Sequence, residues 1–322
     1  MKLDTAQRSA HLLSFALEHP WAITAGMLAT IADLLARHLT GAPSDPAAIA
    51  AALVARSNRV PAPYGTPRGG GTIAVIPIFG VVAPRMNLLS ETSGGTSFET
   101  LTSQLRAAVA DPRVTQIVFD VDSPGGSTAG ATEFAREVRD AAATKPVLAH
   151  AQHLMASAAY WAMSGATAII ASPSALVGSI GVFTIHEDLS RALEQLGVKR
   201  TIISAGKYKA DGVAGTALSP EARTHVQQVV DSAYGRFVTD VASGRRVPVA
   251  TVRNGFGEGR LLDADLALRA GLITRIATRD DVLGALDGTA AAASMAAHRQ
   301  ALARAQVAFH RHTLEATARR SH

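Results

Sequence analysis

No cysteine occurs in the 322 residues. That excludes disulfide staples, iron–sulfur clusters, thiolate zinc sites and a cysteine nucleophile. Aromatic residues make up only 5% of the chain and charged residues 18%, yet 48% is hydrophobic. A chain this apolar and this weakly charged is globular rather than disordered. Lysine is rare, with 5 against 26 arginines. Arginine cannot serve as a base at neutral pH, so each lysine in a motif carries information. Between Lys145 and Glu187 there is no Asp, Glu, Lys or Arg. Gly165, Pro173, Gly178 and Gly181 interrupt that stretch, which therefore reads as the buried centre of an α/β domain rather than a membrane span. Met1-Lys2-Leu3-Asp4 is followed by Arg8 without an apolar run, so no secretory signal is predicted. H-E-x-x-H, G-x-S-x-G and the phosphate-binding glycine patterns are all absent, and neither metal nor cofactor is expected.

The net charge of +5 is unevenly placed. Residues 288–322 hold five arginines and one glutamate, which leaves the body near neutral and gives no nucleic-acid footprint there. Residues 1–57 read as an N-terminal helical arm without strand pattern, from the spacing of Leu12, Leu13 and Leu17, then of Ile23, Met27, Ile31 and Leu34. Residues 58–71 are a Pro/Gly-rich linker. The body, 72–287, alternates. Strands are expected at 72–79, 114–121, 147–149, 168–171, 182–185, 200–203 and 272–276. Helices are expected at 97–110, 128–143, 156–163, 189–196, 219–243 and 263–270. That alternation predicts an α/β domain with largely parallel pairing. The tail, 288–322, is Ala- and Arg-rich, a helical or disordered segment.

Three segments have the composition of a catalytic site. Asp122-Ser123-Pro124-Gly125-Gly126-Ser127 follows a strand, and a Gly-Gly turn exposes backbone N–H donors able to hold an oxyanion. It is also an ordinary strand–helix turn. In Met155-Ala156-Ser157-Ala158-Ala159-Tyr160-Trp161 a serine opens a short helix among very small residues. A nucleophile there gains from the helix dipole, but a plain N-cap serine looks the same. Gly206-Lys207-Tyr208-Lys209 holds two of the five lysines, either a base or a pair of solvated side chains. His150, His153 and His186 flank the serine, so a Ser–His pair rivals Ser–Lys.

The three segments in this order, with Val177-Gly178-Ser179-Ile180-Gly181 between the second and third, resemble the signal peptide peptidase A family of serine peptidases. The resemblance runs from about residue 72 to 276, closing on Glu258-Gly259-Arg260-Leu261 and Ala270-Gly271-Leu272-Ile273. The segment His19-Pro20-Trp21-Ala22-Ile23 is similar to the phage and prophage branch, whose members act in capsid assembly and head maturation. The resemblance implies a crotonase/Clp-protease-like fold of repeated ββα units that assembles into homo-oligomeric rings. It implies Ser157 as nucleophile, Lys209 as general base and Ser179 as the residue orienting the lysine. It also implies an oxyanion hole from Ala158 with Gly125 or Gly126. Ala158-Ala159 stands where many relatives have Gly-Gly, which narrows the space beside the serine.

The expected activity is a serine endopeptidase forming an acyl-enzyme on capsid or scaffold proteins, cutting after small or apolar residues, with no membrane anchor and a place in the host cytoplasm or the prohead. A neutral lysine base predicts a rate that rises into mildly alkaline pH. A general signal-peptide- or peptide-degrading peptidase and a catalytically inactive capsid-assembly scaffold are the alternatives. An acyl-CoA enzyme of the crotonase fold is disfavoured by the paired serine and lysine.

Overall fold

A computed structural model describes residues 20–28, 71–85, 95–186, 188–213 and 215–286. The linker and the tail, and most of the N-terminal arm, lie outside the described residues. Two sheets organise the rest. In the larger, β2 (Thr72–Phe79), β5 (Val114–Ser123) and β7 (Val147–Ala156) run parallel side by side. The N-terminal half of β7 also pairs with β8 (Ala168–Ala171), and its C-terminal end with β9 (Leu176–Gly178). An antiparallel strand β10 (Leu261–Asp263) borders β9, and β11 (Arg275–Ile276) borders β8. The smaller sheet has the order β1 (Trp21–Ile23), β6 (Gly125–Ser127), β3 (Val81–Ala83), β4 (Gly95–Ser97).

A strand of the large sheet, short strands of the small sheet and a helix recur as a unit. The first such unit is β2, β3, β4 and α1 (Phe98–Ala110), and the second is β5, β6 and α2 (Ala131–Thr144). This is the repeated ββα architecture expected of the fold. Each helix starts and stops for a local reason. Ser97 caps α1 by accepting from the Thr100 N–H. The long helix α5 (Pro220–Arg245), which follows α3 (Ala158–Met163) and α4 (Ser190–Gln195), is capped by Ser219 with Pro220 at its first turn.

α1 and α2 cover one face of the large sheet. Phe98, Leu101, Leu105, Phe134 and Val138 meet Ile76, Ile117 and Phe119 in one core, with Phe119 edge-on to Phe134 at 6.0 Å. That core continues under α3, where Trp161 stacks on Phe237 of α5 at 4.4 Å and donates its Nε1–H to Asp240 at 2.8 Å. The opposite face buries Ile73, Val118, Leu148 and Ile170 under Val282 and Leu286, carried by and just beyond α8 (Arg279–Gly284). α6 (Val249–Gly255) and α7 (Ala264–Ala270) lie between α5 and α8.

Several expectations need correction. Residues 21–23 form strand β1, not helix, because β6 offers them a backbone edge. Strand β7 extends ten residues where three were expected. Its alternation breaks at Gln152 and His153, where the pairing with β5 shifts register. Residues 182–185 and 200–203 are rich in β-branched residues but, among the described residues, lack a strand partner beyond one bridge from Phe183 to Trp21. Of 272–276 only Arg275–Ile276 is a strand.

His150 is structural. It is buried on the α8 face, where its Nε2 lies 3.1 Å from the Ala277 carbonyl and 3.4 Å from Ser172 Oγ. Burial holds its pKa below 6.5 and the Arg279 charge adds to the effect, against the opposing Ala277 hydrogen bond. The unfolded chain therefore takes up this proton more readily than the folded one, and stability falls as pH drops through about 6.5. Thermal melts from pH 8 to pH 5 are expected to fall less steeply for His150→Leu than for the wild type. Parallel curves would show that this imidazole does not carry the acid sensitivity.

Candidate active site

Strand β7 ends at Ala156, paired with Gly178 at the end of β9, and the next residue on each strand is a serine. Ser157 and Ser179 both have φ 54°, a left-handed backbone that serine rarely adopts. The Ser157 N–H donates to the Gly178 carbonyl at 2.7 Å, and the Ser179 N–H to the Arg260 carbonyl at 2.8 Å. The two bonds fix the serines side by side. Ser157 then opens α3, whose Trp161 N–H donates back to the Ser157 carbonyl at 2.8 Å. Its ψ of −119° keeps it out of the helix proper and leaves the first N–H groups of α3, beginning with Ala158, next to the side chain. Ala156, Ala158, Ala159 and Tyr160 are all fully buried. Burial pushes the Tyr160 hydroxyl up to about 12, and it donates to the Leu272 carbonyl at 2.9 Å.

Ser157 itself is fully buried, and its Oγ has no hydrogen-bond partner. A buried hydroxyl left unpaired costs about 1–3 kcal/mol. Such a cost is kept where the group is needed for something other than stability.

The Gly-Gly turn sits against this serine. Gly125 has φ 96°, and a Cβ there would lie 2.8 Å from Ser157 Cβ and 3.0 Å from the Ala156 carbonyl. A Cβ on Gly126 would collide with the backbone of Val82 in β3. Only glycine allows either approach. The two differ in what their N–H groups do. That of Gly125 donates to Ser123 Oγ at 3.2 Å, and Ser123 Oγ in turn donates to the Gly80 carbonyl at 2.6 Å. Gly126 has no such internal acceptor in the turn and lies between β1 and β3. Asp122, at the start of the turn, meets His153 Nδ1 at 3.2 Å on the exposed rim.

Of the expected site residues, the fold brings together Ser157, Ala158, Gly125, Gly126 and Ser179. It does not bring Lys209 to Ser157. Lys209 lies in an exposed turn closed by its own N–H to the Gly206 carbonyl at 3.1 Å, while Lys207 lies over the Tyr208 ring at 4.8 Å. Most of the described arm before it, residues 188–206, is exposed. α4 has no buried residue, and Leu196 and Ile203 are 76% and 95% exposed. The histidines do not substitute. His150 is on the opposite sheet face, His153 pairs with Asp122, and His186 Nε2 lies 2.7 Å from the Thr216 carbonyl. Among the described residues no group of His, Asp and Glu is arranged to hold a metal, and no helix is long and apolar enough to cross a membrane. What the sequence did not reveal is β1, which runs directly past the Gly-Gly turn.

Comparison with known proteins places this geometry. The model of peptidase family S49 matches residues 139–293, a span that includes both serines and Lys209. Protease 4 of Salmonella typhi is 35% identical over 66% of this chain and 34% of its own length. Capsid assembly protease C of Escherichia phage lambda is 31% identical over 66% of this chain and 48% of its own length. The chain thus spans between a third and a half of these two relatives. The Synechocystis sp. protein slr0021, which carries a provisional protease name, is 31% identical over 59% of this chain and 69% of its own length. Among solved structures, a point mutant of ClpP1 from Listeria monocytogenes has 12% identity and a TM-score of 0.41, covering 65% of this chain and 94% of that one. With both strained serines in the matched span, and a 31% identical relative aligned over more than two thirds of its length, the chain belongs to peptidase family S49.

Proposed function

We propose that the chain is a serine endopeptidase that uses a Ser157–Lys209 dyad completed between two copies of the chain, and that it processes capsid or scaffold proteins. The observation that carries this reading is the buried, strained Ser157 whose Oγ has no partner, set at the start of α3 and against the Gly125–Gly126 turn. A nucleophile needs a base within hydrogen-bond reach. The candidate base lies on an arm that exposes Leu189, Leu196, Val198 and Ile203. An apolar arm left uncovered among the described residues is suited to be covered by another chain. A second copy receiving that arm would bury it and bring a lysine to the serine.

In the assembled site Ser157 Oγ attacks the scissile carbonyl and neutral Lys209 takes its proton. The tetrahedral oxyanion accepts from the N–H groups of Ala158 and Gly126, since the Gly125 N–H is already committed to Ser123. Lys209 then protonates the leaving amine, and water attacks the acyl-enzyme by the same route in reverse. Ser179, held beside Ser157 by the Gly178 contact, is suited to orient the lysine amine. The capsid assignment is supported by the relatives named Capsid assembly protease C and Head-tail preconnector protein GP5, 31% identical each.

The test incubates wild type, Ser157→Ala and Lys209→Ala with capsid and scaffold proteins and with an unfolded protein, and reads the products by mass spectrometry. Cutting of capsid or scaffold by the wild type alone is the expected result. Equal cutting of any unfolded chain would instead favour a general peptide-degrading enzyme. No cutting by any of the three would favour an inactive assembly scaffold.

A further inference from the structure

Strand β1 lies where a peptide substrate would lie. Trp21 exchanges both backbone bonds with Phe183, at 2.9 and 3.0 Å, along one edge. Neighbouring residues of a strand point their N–H and C=O groups to opposite sides, so Ala22 directs its own toward β6. There the register sets Ala22 opposite Gly126. Thr24 N–H donates to the Pro124 carbonyl at 3.0 Å, and the Pro20 carbonyl accepts from Thr128 N–H at 3.5 Å, two residues to either side. In an antiparallel ladder hydrogen-bonded pairs alternate, and these two bonds make Ala22–Gly126 the hydrogen-bonded pair between them. The Ala22 carbonyl therefore faces the N–H assigned above to the oxyanion hole. It also faces the nucleophile, because the point a Cβ on Gly125 would take is in contact with both the Ala22 carbonyl oxygen and Ser157 Cβ. The two are separated by the space of one methyl group.

We infer that residues 20–24 occupy the substrate groove as an internal strand, and that a protein substrate must displace them to reach Ser157. The inference rests on the peptidase reading. An extended peptide gains its affinity from main-chain bonds to a sheet edge and its specificity from pockets for alternate side chains. β1 satisfies both edges of the groove, the Gly126 side and the Phe183 side, and leaves neither for another chain. Trp21 and Ile23 anchor it in a separate apolar cluster with Leu28, Val81 and Phe183. The strand also states what a substrate resembles. It is extended over about five residues, and its residue opposite Gly126, a fully buried alanine here, is small.

A reversible lock tests this in the full chain. Trp21 and Ser127 face each other in β1 and β6 at a non-hydrogen-bonded position, where Cα atoms in antiparallel sheets stand at a separation a disulfide spans. Because the chain has no cysteine, Trp21→Cys/Ser127→Cys forms one defined crosslink. The oxidised form is expected to cut a peptide substrate at least tenfold more slowly than the same protein after reduction, while the single-cysteine variants ignore the oxidant. Equal rates in both forms would overturn the inference and leave the peptidase reading intact. If the wild type also fails to cut, the peptidase reading falls and the inference with it. Should the double variant not fold, Thr24→Pro decides, since proline at 24 lacks the N–H that donates to the Pro124 carbonyl. A severalfold rise in kcat/KM with an unchanged circular dichroism spectrum supports displacement, and a rate at or below that of the wild type counts against it.

Discussion

Replacing Ser157 with glycine is expected to abolish peptide cleavage and to raise the melting temperature. The two effects have separate causes in one residue. Without Oγ there is no nucleophile, so catalysis through an acyl-enzyme ends. The folded state, meanwhile, is relieved of two costs. One is the backbone at φ 54° and ψ −119°, a conformation that costs a residue with a Cβ about 1–3 kcal/mol and glycine almost nothing. The other is the buried hydroxyl without a partner, worth about 1–3 kcal/mol. Against them stands the greater freedom of glycine in the unfolded chain, about 0.5–1 kcal/mol. The balance favours the variant by roughly 1–5 kcal/mol, and in a domain of this size each kcal/mol moves the midpoint by about 2–4 °C. Calorimetry on wild type, Ser157→Ala and Ser157→Gly separates the causes. Alanine removes the unpaired hydroxyl but keeps the strained backbone, so its midpoint should fall between the other two. A glycine variant that melts below the wild type would show that the site stores no strain, and the serine's geometry would then be ordinary turn geometry.

The same residues show what a sequence reveals and what it withholds. Residues 114–121, rich in Val and Ile, declare a strand that runs on to Ser123, because β-branched side chains suit a pleated sheet surface. Helices with a cap and a periodic face, such as the one begun by Ser97, are equally plain. Short strands are different. Gly125–Ser127 contains two glycines, which taken alone disfavour a strand, and it is one only because Val82 and Ala22 pair with Gly126 from either side. Trp21–Ile23 depends on the same contact and carries no pattern longer than three residues. Conversely, residues 200–203 have the composition of a strand without any edge to join, and they stand exposed. For the site, the serine, the glycine turn and Ser179 were legible, since each is fixed by contacts among strand ends within one chain. The place of Lys209 was not, because it lies in an exposed turn closed by its own N–H to the Gly206 carbonyl rather than at a strand end.

That dependence gives the last expectation a sharp form. Ser157→Ala and Lys209→Ala should each be inactive alone, and a mixture of the two should recover activity. If a site draws its serine from one copy and its lysine from a neighbour, a Lys209→Ala chain still offers Ser157 and a Ser157→Ala chain still offers Lys209. Random association of equal amounts then makes about a quarter of the sites whole, because each of the two choices is right half the time. If instead the arm folds back so that Lys209 serves the serine of its own chain, no mixture contains a complete site, and the recovered rate is zero. Initial rates after subunit exchange, with the exchange followed by native mass spectrometry, distinguish the two directly. The recovered activity should also keep the pH profile of the wild type. Rescue with a different profile would keep the assembly between copies and remove the lysine from the role of base. Rescue with the wild-type profile would join the exposed arm, the unpartnered Ser157 hydroxyl and the scarcity of lysine in the chain into one arrangement, in which the catalytic pair exists only between neighbours.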